Sequence, residues 1–329
     1  MRFICNECGK SYSPDGLQYK CDCGGLFRLA KEAGEAVELS VSLGESETPL
    51  LQRVINGIPM YLKLEFLMPT GSFKDRGAAV LVSHLKNMGI KEVVEDSSGN
   101  AGSAIAAYCA AAGIKCRIYL PASTSPGKIR QIAAYGADVI KTPGSRDETA
   151  RAVTAAAKTT YYASHIYNPL FFEGTATFAT ETLTALGRPD YVFVPIGNGT
   201  LLLGAYQGFA AAGPLPRLIG VQSANCAPVY HAYHGSTRGE YLPTLAEGIA
   251  IDQPPRLVEM VNALKKSRGD CVTVTETEIS AAATILAGMG LYVEPTAAVA
   301  VAGALRYFTE NPSASGKTII PLTGSGLKK

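Results

Sequence analysis

The sequence predicts an α/β protein with two parallel-sheet lobes and a small cysteine-bearing module ahead of them. Three observations carry this. Short β-rich runs alternate with helical runs through the middle of the chain, the pattern of a parallel sheet covered on both faces. Strand-like runs return in the last third. Four of the eight cysteines, Cys5, Cys8, Cys21 and Cys23, crowd the beginning. The chain has 329 residues, 47% hydrophobic and 18% charged, enough for about two domains and a large core. A net charge of +2 leaves no electrostatic footprint for nucleic acid or an anionic membrane. No apolar stretch is long enough to span a bilayer, and Met-Arg-Phe-Ile-Cys-Asn-Glu-Cys at the start carries no apolar run of signal-peptide length. A cytoplasmic protein without a disulfide framework is expected.

Residues 1–30 are expected to form a separate module. Cys-x2-Cys, a gap of twelve residues and Cys-x-Cys-Gly-Gly bring two close pairs of thiolates together across a hairpin-length segment, which suits a tetrahedral zinc site. Gly9 and Gly24 follow the second cysteine of each pair, where a knuckle turn needs a residue without Cβ. With Cys5, Cys8, Cys21 and Cys23 as ligands no position stays open, so the metal would be structural. The alternative is a metal-free flap with free cysteines. A nucleic-acid-binding ribbon is disfavoured by the few basic residues. Cys109, Cys116, Cys226 and Cys271 lie among apolar neighbours and read as small core residues.

The stretch Pro69-Thr-Gly-Ser-Phe-Lys-Asp-Arg-Gly77 comes next. It follows a strand-like alternation, Met60 to Glu65, which Pro69 and Gly71 break. Ser72 suits an N-cap for a helix over 73–88. Lys74 then falls in the first turn, where the helix dipole disfavours a cation and favours the neutral amine that attacks a carbonyl. Taken alone, such a lysine is ordinarily a solvated one.

Beyond it, strands are expected at Glu92–Glu95, Arg117–Leu120, Asp138–Lys141 and Tyr161–Ala163. Helices lie between them at Ala101–Ala112, Ser125–Tyr135 and Arg146–Lys158. These make one lobe, 84–178. A second lobe, 31–83 plus 179–329, takes strands near Val192–Pro195, Leu218–Gln222, Val272–Val274 and Thr318–Leu322.

Two strand-to-helix turns and one C-terminal stretch stand out. Ser97, Ser98, Gly99, Asn100 and Ala101 lie at a helix start, where backbone N–H groups and serine hydroxyls can hold a small carboxylate. Gly197, Asn198, Gly199, Thr200 and Leu201 form a phosphate cradle of the helix-terminus type, without the lysine of a nucleoside-triphosphate loop. Pro321-Leu-Thr-Gly-Ser-Gly-Leu-Lys328 is the third. Each is weak evidence by itself.

Together, and in this order, they resemble the pyridoxal-phosphate enzymes of the tryptophan-synthase-β fold (fold type II), and most closely the threonine-synthase group. Leu43-Gly-Glu45, Thr48-Pro-Leu50 and Lys63-Leu-Glu65 are similar to that group's lead-in to the lysine loop, and the resemblance covers most of the chain. It implies that Lys74 forms the internal Schiff base with pyridoxal 5'-phosphate. It implies that the 97–101 loop grips the substrate carboxylate, with Asn100 on the cofactor's ring hydroxyl, and that 197–201 holds the cofactor phosphate. Thr323 would meet the pyridine nitrogen, and a hydroxyl there makes the ring a weaker electron sink than a carboxylate would, favouring elimination and replacement over transamination. Glu294-Pro-Thr296 is similar to a segment beside the cofactor. The group's cysteine-bearing N-terminal segment favours the zinc reading. A homodimer acting on a small amino acid is implied, with no nucleic-acid or membrane partner.

The chain also departs from the group. In Asn168-Pro-Leu-Phe-Phe-Glu-Gly-Thr-Ala-Thr177, Phe171 stands where an arginine is usual and Thr175-Ala176 replace Gln-Lys; Ser325 replaces a histidine. Phe171 cannot make the charge-assisted contact that a phosphorylated substrate requires. A threonine-synthase-like lyase or synthase is expected. The alternatives are a serine/threonine ammonia-lyase, a β-replacement synthase using a non-phosphorylated substrate and, from another class, a zinc-ribbon binding protein on an idle fold.

Overall fold

A computed structural model describes the chain except at residues 33, 46, 98, 125, 145, 238 and 329. Three short strands come first: β1 (Arg2–Cys5), β2 (Ser11–Tyr12) and β3 (Phe27–Ala30). A hairpin follows, β4 (Leu50–Ile55) and β5 (Ile58–Lys63). Its two-residue turn is Asn56-Gly57, both with positive φ (49° and 81°), the type I′ geometry that matches the strand twist. Next come α1 (Lys74–Asn87), β6 (Glu92–Glu95), α2 (Asn100–Ala112), β7 (Lys115–Pro121), α3 (Pro126–Ala134), β8 (Asp138–Thr142), α4 (Arg146–Ala156) and β9 (Tyr161–Tyr162). Two helices, α5 (Pro169–Thr175) and α6 (Thr177–Leu186), lead into β10 (Tyr191–Pro195), α7 (Thr200–Ala212), β11 (Arg217–Ser223), α8 (Pro228–His234) and α9 (Leu257–Lys266). The chain closes with β12 (Asp270–Val274), α10 (Glu276–Gly288), α11 (Pro295–Glu310), β13 (Thr318–Pro321) and a 3-10 turn over Gly326–Lys328.

The chain divides into two compact units. The first comprises Met1–Glu45, Lys74–Gly174 and Lys328–Lys329; the second comprises Ser46–Phe73 and Thr175–Leu327. In the first, four parallel strands run in the order β8-β7-β6-β9. In the second, six strands run in the order β12-β11-β10-β13-β5-β4, all neighbours parallel except the β4–β5 hairpin. The α/β class and parallel sheets expected from the alternating pattern are what the chain forms. Residues 74–83, expected with the larger lobe, belong to the first unit. The reason is packing: Ala78, Leu81, Val82 and Leu85 of α1 share a core with Ala104, Ile105 and Tyr108 of α2.

The cysteine-bearing segment folds as a small antiparallel sheet, β2-β1-β3. It is too small to supply its own core. Phe3 and Phe27 stack at 5.7 Å and are buried in the same cluster as Val93, Ile118 and Phe171 of the first unit. The second unit has its own core, in which Leu62, Phe193, Ile219, Val301 and Ile320 are fully buried. Among the described residues no helix is long and apolar enough to cross a membrane.

In the first unit, α2 sits hard against the loop that precedes it. A Cβ on Gly102 would lie 1.8 Å from the backbone oxygen of Ser97. That oxygen is main chain and cannot swing aside, so Gly102→Ala is expected to lower stability by about 1–3 kcal/mol. Urea unfolding followed by circular dichroism measures it.

Candidate active site

The first unit holds the lysine and the substrate-loop candidates. Lys74 is the first residue of α1 and is half-buried. The N-cap expected of Ser72 does not form: its hydroxyl is buried with no hydrogen-bond partner among the described residues. Ser72 instead pairs in an antiparallel bridge with Gly324 of its own unit, and the Phe73 N–H donates to the Thr323 carbonyl at 3.1 Å. Local sequence suggested a cap; a long-range backbone pairing took the residue.

At the end of β6, the loop bends through Ser97 to Gly99, whose N–H donates to the Ser97 hydroxyl at 3.3 Å. Gly99 is the N-cap of α2 and brings no side-chain acceptor. The first N–H groups of a helix have no acceptors within it, so this start is a donor-rich anion seat. Asn100 and Ala101 are the first two residues of the helix. Asn100 Oδ1 accepts a 2.7 Å hydrogen bond from Lys328 Nζ. Ser98 lies outside the described residues.

Two acids head this loop, and neither was singled out from the sequence. Glu95 is fully buried, and its Oε1 lies 2.8 Å from His165 Nδ1. Burial first, and the neighbouring Asp96 carboxylate second, hold the Glu95 carboxyl well above the usual carboxylate range, against a smaller downward pull from Lys74. Asp96 accepts from the Tyr162 hydroxyl at 2.7 Å. The pairing links residues 70 apart in sequence, so no local pattern could have announced it.

Phe171, in place of the group's arginine, is fully buried. A Cβ on Gly77 of α1 would meet its ring at 2.2 Å, and its ring lies 6.1 Å from that of His165. It is a core residue that seals α1. An arginine there would carry its charge into a site with no room for water.

The four N-terminal cysteines come together. Their sulfurs all lie within 4.8 Å of one another, with Cys5–Cys23 and Cys8–Cys21 at 3.5 Å and Cys8–Cys23 at 3.6 Å. A tetrahedral zinc with Zn–S bonds of ~2.3 Å sets sulfurs ~3.8 Å apart. Gly9 and Gly24 take positive φ (73° and 89°), as the knuckle turns require. The remaining cysteines, Cys109, Cys116, Cys226 and Cys271, are buried, in keeping with a core role.

The second unit holds the other candidates. The helix α7 starts at Thr200, capped by Gly199 at φ 81° with no side-chain acceptor. A Cβ on Gly199 would lie 2.4 Å from Met260 Sδ, so packing and backbone conformation both select glycine. Gly197, Asn198, Thr200 and Leu201 complete the turn, and Asn198 Oδ1 is buried with no hydrogen-bond partner among the described residues. By contrast, α10 starts with a full capping box, Thr275 with Glu278. Thr323 is 2% exposed, and its hydroxyl has no hydrogen-bond partner among the described residues. A buried hydroxyl left so costs about 1–3 kcal/mol, which a ligand nitrogen would relieve. Glu294 donates its backbone N–H to the Gly324 carbonyl at 3.0 Å, beside Thr323. The donor-rich helix start and these orphaned groups fit a ligand with a phosphate and a ring nitrogen.

A family model described as "Pyridoxal-phosphate dependent enzyme" matches residues 41–324. The chain belongs to that family. It is 31% identical to the threonine synthase of Methanocaldococcus jannaschii, over 98% of this chain and 92% of the relative. It is 33% identical to the threonine synthase of Halalkalibacterium halodurans, over 92% and 89%. Among solved structures it is similar to a threonine deaminase from Solanum lycopersicum, with a TM-score of 0.74 and 26% identity over 85% of this chain and 79% of that one. The fold type II expectation thus stands for this pyridoxal-phosphate enzyme.

One cation of the lead-in to the lysine loop is already committed. Lys63, 1% exposed, donates to Glu181 Oε2 at 2.5 Å, to the Thr48 carbonyl at 2.7 Å and to the Thr48 hydroxyl, all within the second unit. Removing one partner of a buried pair leaves the other charge uncompensated. Lys63→Ala is expected to destabilise the enzyme by about 3–5 kcal/mol, read from its urea midpoint.

Proposed function

We propose that the protein is a threonine-synthase-like pyridoxal-phosphate enzyme that performs elimination or replacement at the side chain of an amino acid. The observation that carries this is the buried Thr323 hydroxyl, without a hydrogen-bond partner among the described residues, in the unit whose α7 starts on a glycine with no side-chain cap. A pyridine nitrogen and a phosphate satisfy both. When bound, the cofactor draws electrons from the substrate Cα, which makes the α-proton acidic and lets a side-chain group depart. Lys74 would hold the cofactor through its amine and, once the substrate displaces it, carry the α-proton as general base and acid. Gly197, Asn198, Gly199, Thr200 and Leu201 would bind the phosphate through backbone donors. Ser97, Ser98, Gly99, Asn100 and Ala101 would hold the substrate carboxylate, with Asn100 also facing the ring hydroxyl.

The substrate reading that the residues favour is one without a phosphate. A phosphomonoester carries about two negative charges near neutral pH and needs several charge-assisted contacts. Phe171 is core, and Lys63 is bonded to Glu181, so neither offers a phosphate a cationic contact. Serine, threonine or an O-acylated amino acid suits this better than O-phosphohomoserine. Homodimeric operation rests on the family resemblance alone.

Protein supplied with excess pyridoxal phosphate is expected to show a near-visible absorbance band that Lys74→Ala abolishes. Steady-state assays should then rank serine, threonine and O-acetylated amino acids above O-phosphohomoserine. Absence of the band refutes the enzyme reading, while efficient threonine formation from O-phosphohomoserine refutes only the choice of substrate.

The cysteine cluster is read as a structural zinc site, supported by sulfur spacings near those of a four-thiolate shell. Metal analysis of protein purified under reducing conditions is expected to give about one zinc per chain. Cys8→Ser should abolish it without releasing the cofactor.

A further inference from the structure

We propose that Lys328 is a positioning residue that fixes the orientation of the Asn100 side-chain amide. The inference rests on the reading that Asn100 faces the cofactor's ring hydroxyl. Lys328 Nζ donates to Asn100 Oδ1 at 2.7 Å, within the first unit. An ammonium has donors only, so it donates to the oxygen end of the amide and repels the NH2 end. A flipped Asn100 would set donors against donors. The oxygen is therefore held toward Lys328, and the two N–H donors are committed to the opposite edge.

The contact is charge-assisted and roughly twice as strong as a neutral hydrogen bond. It also draws electron density from the amide nitrogen and strengthens the N–H donors beyond it. An anionic oxygen facing that edge is stabilised more than an isolated asparagine could manage. The local burial points the same way. Lys328 is half-buried whereas its neighbour Leu327 is 83% exposed, the reverse of the ordinary distribution of charged and apolar side chains. The lysine is turned inward by the bond it makes.

The test uses the full chain with Lys328→Met, Lys328→Arg, Asn100→Ala and the Lys328→Met/Asn100→Ala double variant. In cofactor-free protein, the Asn100 side-chain NH2 resonance, identified by its loss in Asn100→Ala, should shift in Lys328→Met and return towards its original position in Lys328→Arg. In protein loaded with pyridoxal phosphate, Lys328→Met should move the pH titration of the cofactor's absorbance to higher pH, because the anionic ring oxygen loses support. Lys328→Arg should restore it, and Lys328→Met should add nothing in the Asn100→Ala background. An unshifted NH2 resonance, or additive effects of the two substitutions, overturns the proposal. A shifted resonance in a chain that binds no pyridoxal phosphate keeps the positioning contact and overturns the functional reading instead.

Discussion

A helix that begins on glycine leaves its first N–H groups without an acceptor from its own cap, and this protein does so twice, at Gly99 before α2 and at Gly199 before α7. Both helices follow the C-terminal end of a parallel strand, where the dipole and the free donors add. The packing around each start depends on this choice. Ser97 closes over Gly102 in the first unit, and Met260 closes over Gly199 in the second. A serine or aspartate cap would have satisfied the donors internally, as Thr275 and Glu278 do for α10. The donors stay available because the sequence withholds the cap.

Charge is handled in the opposite way. Where the helix starts leave donors open, buried ionisable groups near the motifs each make at least one hydrogen bond, although Glu95 Oε2 has no partner among the described residues. Lys63 is bonded to Glu181 and Thr48, Glu95 to His165, and Asp96 to Tyr162. Such pairs gain little net stability over an apolar core, but a missing partner costs several kcal/mol. They therefore behave as fixed parts of the scaffold rather than as groups waiting for a substrate.

The N-terminal sheet is part of the same logic. Its loop residue Tyr19 packs edge-on against Tyr162 and Tyr167, at 5.3 and 5.2 Å, and the Tyr161 hydroxyl donates to the Pro14 carbonyl at 3.2 Å. Tyr162 in turn donates to Asp96 at the head of the loop that leads into α2. The four-cysteine cluster lies in a segment that packs against β9. This gives a module of such size a reason to share the core of the first unit.

Much of this was legible in the chain itself. Short β-rich runs and helical runs announced β6 to β9 and the helices between them because both faces of a parallel sheet are buried, and burial writes itself into local hydrophobicity. Glycine marked the two helix starts, and at Gly199 the left-handed backbone, φ 81°, favours it. The cysteine spacing announced the sulfur cluster because a knuckle has a fixed length. What needed the tertiary structure was every feature made by residues far apart. Ser72 read as a cap locally and became a bridge partner of Gly324. Phe171 read as an altered substrate contact and became the wall of α1. The Glu95–His165, Lys63–Glu181 and Lys328–Asn100 pairs join residues 70, 118 and 228 positions apart. A single sequence records the propensity and burial of each residue, but the identity of a distant partner is set only when the chain closes on itself.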